Sequence, residues 1–232
     1  MSEFLASPKV LEAFQVLQSQ TLFAIWESLY STVLATLFAY VIGLPLGVLL
    51  FTGEHEGIRP LPHWIMSIMN LVINILRSIP FLILTLVAIP LTRAILGTSI
   101  GTVAMIPPLV LAAFPFVARL VETSLRETDK GIIEAAQSMG ATPFQIVWKV
   151  MLPETMPSLV SGATTAFITI LGYGAMAGMI GGGGLGKIAI TYGSHRFNAI
   201  IMWAIVIVIV ALVQIFQSAG TRLSVKSDKR IS

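Results

Sequence analysis

Residues Ile200–Val213 read IIMWAIVIVIVALV, the most continuous apolar stretch of the chain. With its flanks it makes a charge-free run from about 197 to 219. A helix needs about 20 mostly apolar residues to cross roughly 30 Å of hydrocarbon, so this run is a membrane span. The whole composition agrees. Hydrophobic residues make up 56% of the 232 residues and charged residues 11%. The mean hydropathy is +0.89. A soluble chain of this length would need far more charge to cover its surface, so an integral membrane protein is the direct reading. The lack of cysteine excludes disulfides, Cys-ligated zinc and thiol nucleophiles.

Four more segments qualify as spans, at about 28–52, 64–91, 94–118 and 156–180. The first contains Gly43, Pro45 and Gly47, the second one charge (Arg77), the third Pro107, Pro108 and Pro115, and the fourth ends in a glycine run. Prolines inside spans are tolerated where neighbouring helices re-satisfy the freed carbonyls, which argues for a packed bundle. The fold class expected is all-α: a polytopic membrane protein with five transmembrane helices and a long polar loop at about 126–154. An N-terminal extracytoplasmic segment (1–27) and a cytoplasmic tail (220–232) flank a membrane domain at 28–219. The opening MSEFLASPKVLEAFQ has no basic region leading into an apolar core and does not read as a cleavable signal.

Five spans put the termini on opposite sides, and Lys and Arg decide which is inside. One face collects nine: Arg59, Arg119, Arg126, Lys130, Lys149, Arg222, Lys226, Lys229 and Arg230. The other has four, Lys9, Arg93, Lys187 and Arg196. The first face should be cytoplasmic, with the N-terminus and the glycine run outside.

That run, MIGGGGLGKI (Met179–Ile188), matches two nucleotide patterns on paper. Gly181, Gly183 and Gly186 spell G-x-G-x-x-G, and Gly181, Gly186 and Lys187 spell most of a P-loop. Neither has its context. A P-loop needs a preceding strand and Ser or Thr where Ile188 stands, and the dinucleotide pattern needs a βαβ unit. The run is expected to be a flexible exit from the fourth span, its glycines allowing a tight turn.

The longest inside segment is RETDKGIIEAAQSMGATPFQIVWKVMLPETMP (Arg126–Pro157). It reads as helix, glycine stop, helix. Gly140 suits a left-handed cap, Thr142 an N-cap, Pro143 the first helical position, and Gln145 completes a capping box. Leu152-Pro153 should end the second helix. Small residues among charges (Ala135, Ala136, Gly140) suit a docking surface, although an amphipathic helix lying on the bilayer has the same look.

Within this segment EAAQSMGATPFQIVWKVMLP (Glu134–Pro153) resembles the EAA motif of binding-protein-dependent ABC importer permeases. Glu134, Ala135, Ala136, Gly140, Leu152 and Pro153 stand at the motif's spacing, with Val150 where the family has Ile. Asn74–Gly101, Phe116–Leu125 and Leu171–Gly193 narrow the resemblance to the methionine-importer branch, whose members have five spans. The resemblance implies a type I importer permease in a bacterial inner membrane. Glu134, Ala135, Ala136, Met139, Gly140, Ala141, Leu152 and Pro153 would then couple to a separate ATPase. It further implies a homodimer with two copies of that ATPase, which would hold ATP and Mg. A periplasmic or lipoprotein-type binding protein would deliver the substrate, expected to be methionine (L- and possibly D-). The chain itself would hold no cofactor and catalyse nothing.

Arg77 is the only charge deep in a span, where insertion costs about 2.5–3.5 kcal/mol. Something should offset that cost: Asn74 one turn before it, a carbonyl freed by Pro80 one turn after, water in a cavity, or a substrate carboxylate. Asn74, Arg77, Tyr173 and Met176 are candidates for the translocation path, although each also has a purely structural reading. No acidic residue lies inside an expected span, Glu27 and Glu122 sitting near ends, so an ion-coupled carrier lacks its usual carboxylates. A secondary carrier or channel for small amino acids is the competing reading. His55, His63 and His195 have no ligand spacing and imply no metal. Lipid is the expected surrounding, and nothing points to nucleic acid.

Overall fold

The computed structural model describes residues 8–55 and 57–228, and its elements among these are all helical. Residues 1–7 of the N-terminal segment and Lys229 and Arg230, counted above for the tail, lie outside them. The first helix, α1, runs Pro8–Thr52, 45 residues. At 1.5 Å per residue it measures about 68 Å, more than twice the hydrocarbon thickness. The sequence places its start near 28. The helix begins earlier because residues 9–27 contain no glycine or proline to stop it.

The second expected span is broken in two. Helix α2 (His63–Ser78) ends where Ile79 turns extended (φ −81, ψ 124) ahead of Pro80, and α3 (Phe81–Leu96) follows. A proline ring disfavours helical geometry in the residue before it, which is the physical cause of the break. Helix α4 runs Ile106–Leu125 after a 3₁₀ turn at Val103–Met105, so the third span begins later than the 94 expected. Pro107 and Pro108 start that helix instead of interrupting it, because first-turn N–H groups need no helical partner.

Helix α5 (Lys130–Ser138) and α6 (Pro143–Ile146) form the polar loop. Helix α7 is Met156–Ala177, with a 3₁₀ turn at Gly178–Ile180. Helix α8 (Gly184–Ile188) passes into a π-helical turn at Ala189–His195, and α9 covers Ala199–Ser227. Among the described residues four helical stretches are long and apolar enough to cross a membrane alone, and α2 with α3 would make the fifth.

The chain forms two compact units. One takes in the described chain up to Ala35, Phe81–Leu109 and Phe167–Phe216. Its core sets Ala13, Val16 and Ala24 of α1 against Leu185, Ile188, Ile201 and Ile205. Asn198, fully buried, donates to the Lys9 carbonyl at 3.0 Å and to the Glu12 carboxylate at 3.2 Å. Its own Oδ1 accepts the Ile201 N–H, capping α9. Arg196 pairs with Glu12 at 2.8 Å, so the start of α1 is tied down along its length.

The other unit comprises Thr36–Pro80, Val110–Ala166 and the described chain from Gln217. Leu50, Ile73 and Ala118 form its core, with Leu46, Met66 and Met69 packed against them. Glu122 is buried and accepts from two arginines, Arg119 and Arg126, both at 2.7 Å. A buried carboxylate persists only with such partners. Arg126 also pairs with Glu54, which, with Glu122, raises the pKa of its guanidinium further.

Candidate functional site

The polar loop is built by local rules. Asp129 accepts the Gly131 N–H at 2.6 Å and starts α5. Gly140 stops it at φ +78, a left-handed conformation that costs other residues about 1–2 kcal/mol. The Gly140 and Ala141 N–H groups donate back to Gln137 and Ala136. The reciprocal capping box then opens α6. Thr142 accepts the Gln145 N–H at 3.4 Å, and Gln145 accepts the Thr142 N–H at 2.9 Å. The second helix ends at Glu154, one residue past Pro153 and close to where the sequence puts it. A π-helical turn at Val147–Met151 carries the chain into a last turn at Leu152–Glu154. There Leu152 donates to Val147, five residues back, so the ladder is widened just before the proline that cannot donate.

The candidate docking residues separate by exposure. Met139 is 81% exposed and Ala136 3%. Glu134, Ala135, Gly140 and Pro153 are open to solvent, whereas Ala141 and Leu152 are half-buried. Ala136 therefore seats the loop on the protein and leaves the outer face to its neighbours. Ile146 and Met151 are buried beside it. Sequence reasoning missed Phe144 and Trp148 as surface residues. Their rings stack at 6.3 Å, almost parallel, and are 74% and 61% exposed. Their i, i+4 spacing puts them on one helix face, but the same spacing is shared by core residues. The stacked pair is an exposed aromatic surface of the kind found in interface cores, and Met139 is a further exposed apolar side chain of the loop.

Of the path candidates, Asn74 and Arg77 lie on α2. Asn74 is occupied, its Oδ1 accepting from Arg119 at 3.1 Å. Arg77 is exposed and, among the described residues, has no hydrogen-bond or ion-pair partner. In the other unit Tyr173 stacks on Phe81 at 4.7 Å, and Met176 is exposed.

The glycine run is closely packed, which corrects its reading as a flexible exit. Glu27 of α1 accepts the Gly184 N–H at 2.9 Å and the Thr102 hydroxyl at 2.7 Å, while Ser28 accepts the Leu185 N–H at 2.9 Å. Two side chains of α1 thus cap α8. Gly184 takes φ +73, and a Cβ on Gly186 would overlap the Ala175 carbonyl. The glycines admit neighbouring backbone, and Lys187 stands exposed beside them. Because α1 begins at Pro8, Glu27 lies inside a helix, not near its end as expected, but both its oxygens are engaged in this cap.

The comparisons with known proteins give one answer. The profile of the binding-protein-dependent transport system inner membrane component family matches residues 43–226. A probable D-methionine transport system permease protein MetI of Vibrio cholerae is 48% identical over 208 residues, 89% of this chain and 92% of that one. Two solved chains of the MetNI methionine ABC transporter in inward-facing conformations are similar in structure. One, from the CY5 SeMet soak crystal form, has a TM-score of 0.86 at 46% identity, covering 88% of this chain and 94% of that one. The other, from the CY5 native form, has 0.87 at 43%, covering 92% and 98%.

Proposed function

The chain belongs to the binding-protein-dependent transport system inner membrane components, and on that premise we propose that it imports methionine, as the L- and the D-enantiomer, through a path it forms with a second copy of itself. It is a multi-pass transport permease. The energy source in this reading is a separate ATPase, two copies per homodimer, which hold ATP and Mg and seat on the Glu134–Pro153 loop. Phe144, Trp148 and Met139 supply the apolar contact there, and Glu134 sets its register. A periplasmic or lipoprotein-type binding protein delivers methionine on the opposite face, near the glycine run. The N-terminus is outside and the C-terminus cytoplasmic, in agreement with the distribution of Lys and Arg. Asn74 and Arg77, both in one unit, line the path in this reading.

One observation carries the substrate: 48% identity along 89% of the chain with a permease named for D-methionine transport. The likeness to the MetNI chains supports the partnership. A self-contained carrier finds no foothold, because half-buried Glu27 and buried Glu122 are both engaged in structural hydrogen bonds.

Uptake of labelled methionine by cells that depend on this system tests the reading. Uptake should be strong with the intact chain and competed by unlabelled methionine above other amino acids. Glu134→Arg should reduce it by at least about tenfold with the permease still in the membrane, as expected for a charge reversed within an interface. Normal uptake by that variant would refute the coupling, and absence of methionine uptake by the intact chain would refute the substrate.

A further inference from the structure

A cavity of about 320 Å³ opens within one unit between α2, α4 and α7. Arg77, Arg119, Thr123, Ser158, Ser161 and Thr165 provide its polar lining, and no acidic side chain lines it. The two arginines differ. The Arg119 guanidinium is held by Glu122 at 2.7 Å, Asn70 at 2.6 Å and Asn74 at 3.1 Å, so its charge is paired and its orientation fixed. Ser158 is turned toward Glu127 at 2.7 Å. Arg77 has no such partner among the described residues, and it is the uncompensated charge of the cavity.

A lone guanidinium on a membrane helix is costly unless something negative meets it. Its planar fork fits the two oxygens of a carboxylate or the oxygens of a phosphate, with geometry that a halide ion does not reproduce. The volume lies at the small end of ligand pockets and suits a molecule of amino-acid size. We propose that this cavity binds an oxyanion, which Arg77 grips while Arg119 stays locked as part of the wall. Resting on the import reading above, the oxyanion is the carboxylate of the amino acid in transit. A lipid phosphate is the other source of the same chemistry.

The test uses the full permease purified with its ATPase in phosphatidylcholine nanodiscs. Its probes are labelled L-methionine, L-methioninamide as the competitor lacking the carboxylate, and dihexanoyl phosphatidic acid. Methionine should bind saturably, and the amide should compete at least about tenfold less well. Arg77→Gln should weaken methionine at least about tenfold, the loss expected of a charged hydrogen bond, and Arg77→Lys less. Should Arg77→Gln not fold, Ser161→Leu, which fills the cavity without touching charge, must weaken binding in its place. If phosphatidic acid binds in an Arg77-dependent way and methionine does not, the oxyanion site stands with a lipid as its source. The proposal is overturned if neither probe binds the wild type, or if the variants bind both as tightly as it does. Methionine uptake by proteoliposomes carrying the binding protein separates the two readings. Uptake without Arg77-dependent binding overturns the cavity alone, and Arg77-dependent binding without uptake overturns the import reading alone.

Discussion

Gly186 and Gly172 show how little a residue's identity says until its neighbours are known. Both are glycines near the end of the same expected span. A Cβ on Gly186 would run into the Ala175 backbone, whereas one on Gly172 meets nothing within 4 Å. Gly186→Ala should therefore cost about 1–3 kcal/mol or more through overpacking against backbone that cannot yield. Gly172→Ala removes a poor helix former from the inside of α7 and should stay within about 1 kcal/mol of wild type. Thermal unfolding of the two purified variants checks this, and equal melting temperatures would refute the packed reading of the run. The sequence announced that glycine was required there. It was silent on the reason, because a flexible turn and a close backbone contact ask for the same residue.

At the scale of elements, helix boundaries set by local chemistry were legible and those set by what is missing were not. The stop at Gly140 and the Thr142–Gln145 box stand where the sequence puts them, since a cap involves only three or four consecutive residues. Thr142→Ala removes one half of the box and should destabilise the loop by about 1 kcal/mol. In cells it should lower methionine uptake with unchanged permease abundance, and unchanged uptake would separate the cap from coupling. The early start of α1 and the break at Pro80 were harder to place, because twenty-residue hydropathy averages over both. Phe144 and Trp148 could not be told from core residues by their spacing. Their exposure makes them the apolar centre of the loop's outer face. Replacing both by alanine should reduce recovery of the ATPase with the tagged permease at least about tenfold, as interface aromatics do when they are hot spots. Full recovery would shift docking to the charged residues.

For the whole molecule, orientation can be measured directly, because the chain contains no cysteine. Lys187 and Gln137 are both exposed, and the distribution of basic residues puts them on opposite sides of the membrane. Lys187→Cys should be labelled in whole cells by a membrane-impermeant maleimide after outer-membrane permeabilisation. Gln137→Cys should be labelled only in inverted vesicles. The reverse pattern would invert the topology and put the Glu134–Pro153 loop out of reach of a cytoplasmic ATPase.

Membrane embedding, the helix–glycine–helix loop and the family resemblance followed from the sequence alone. Hydropathy acts over one span and capping over one turn, so both are written in consecutive residues. Pairing between distant residues belonged to the tertiary structure. Glu27 reaches Gly184 across 157 positions, and Arg119 reaches Asn74 across 45. Those contacts turn a presumed flexible exit into a capped, packed knot, and they leave Arg77 as the arginine of its cavity with no partner of its own among the described residues. No spacing rule connects such residues, because they meet only when a 45-residue helix and its neighbours fold against one another.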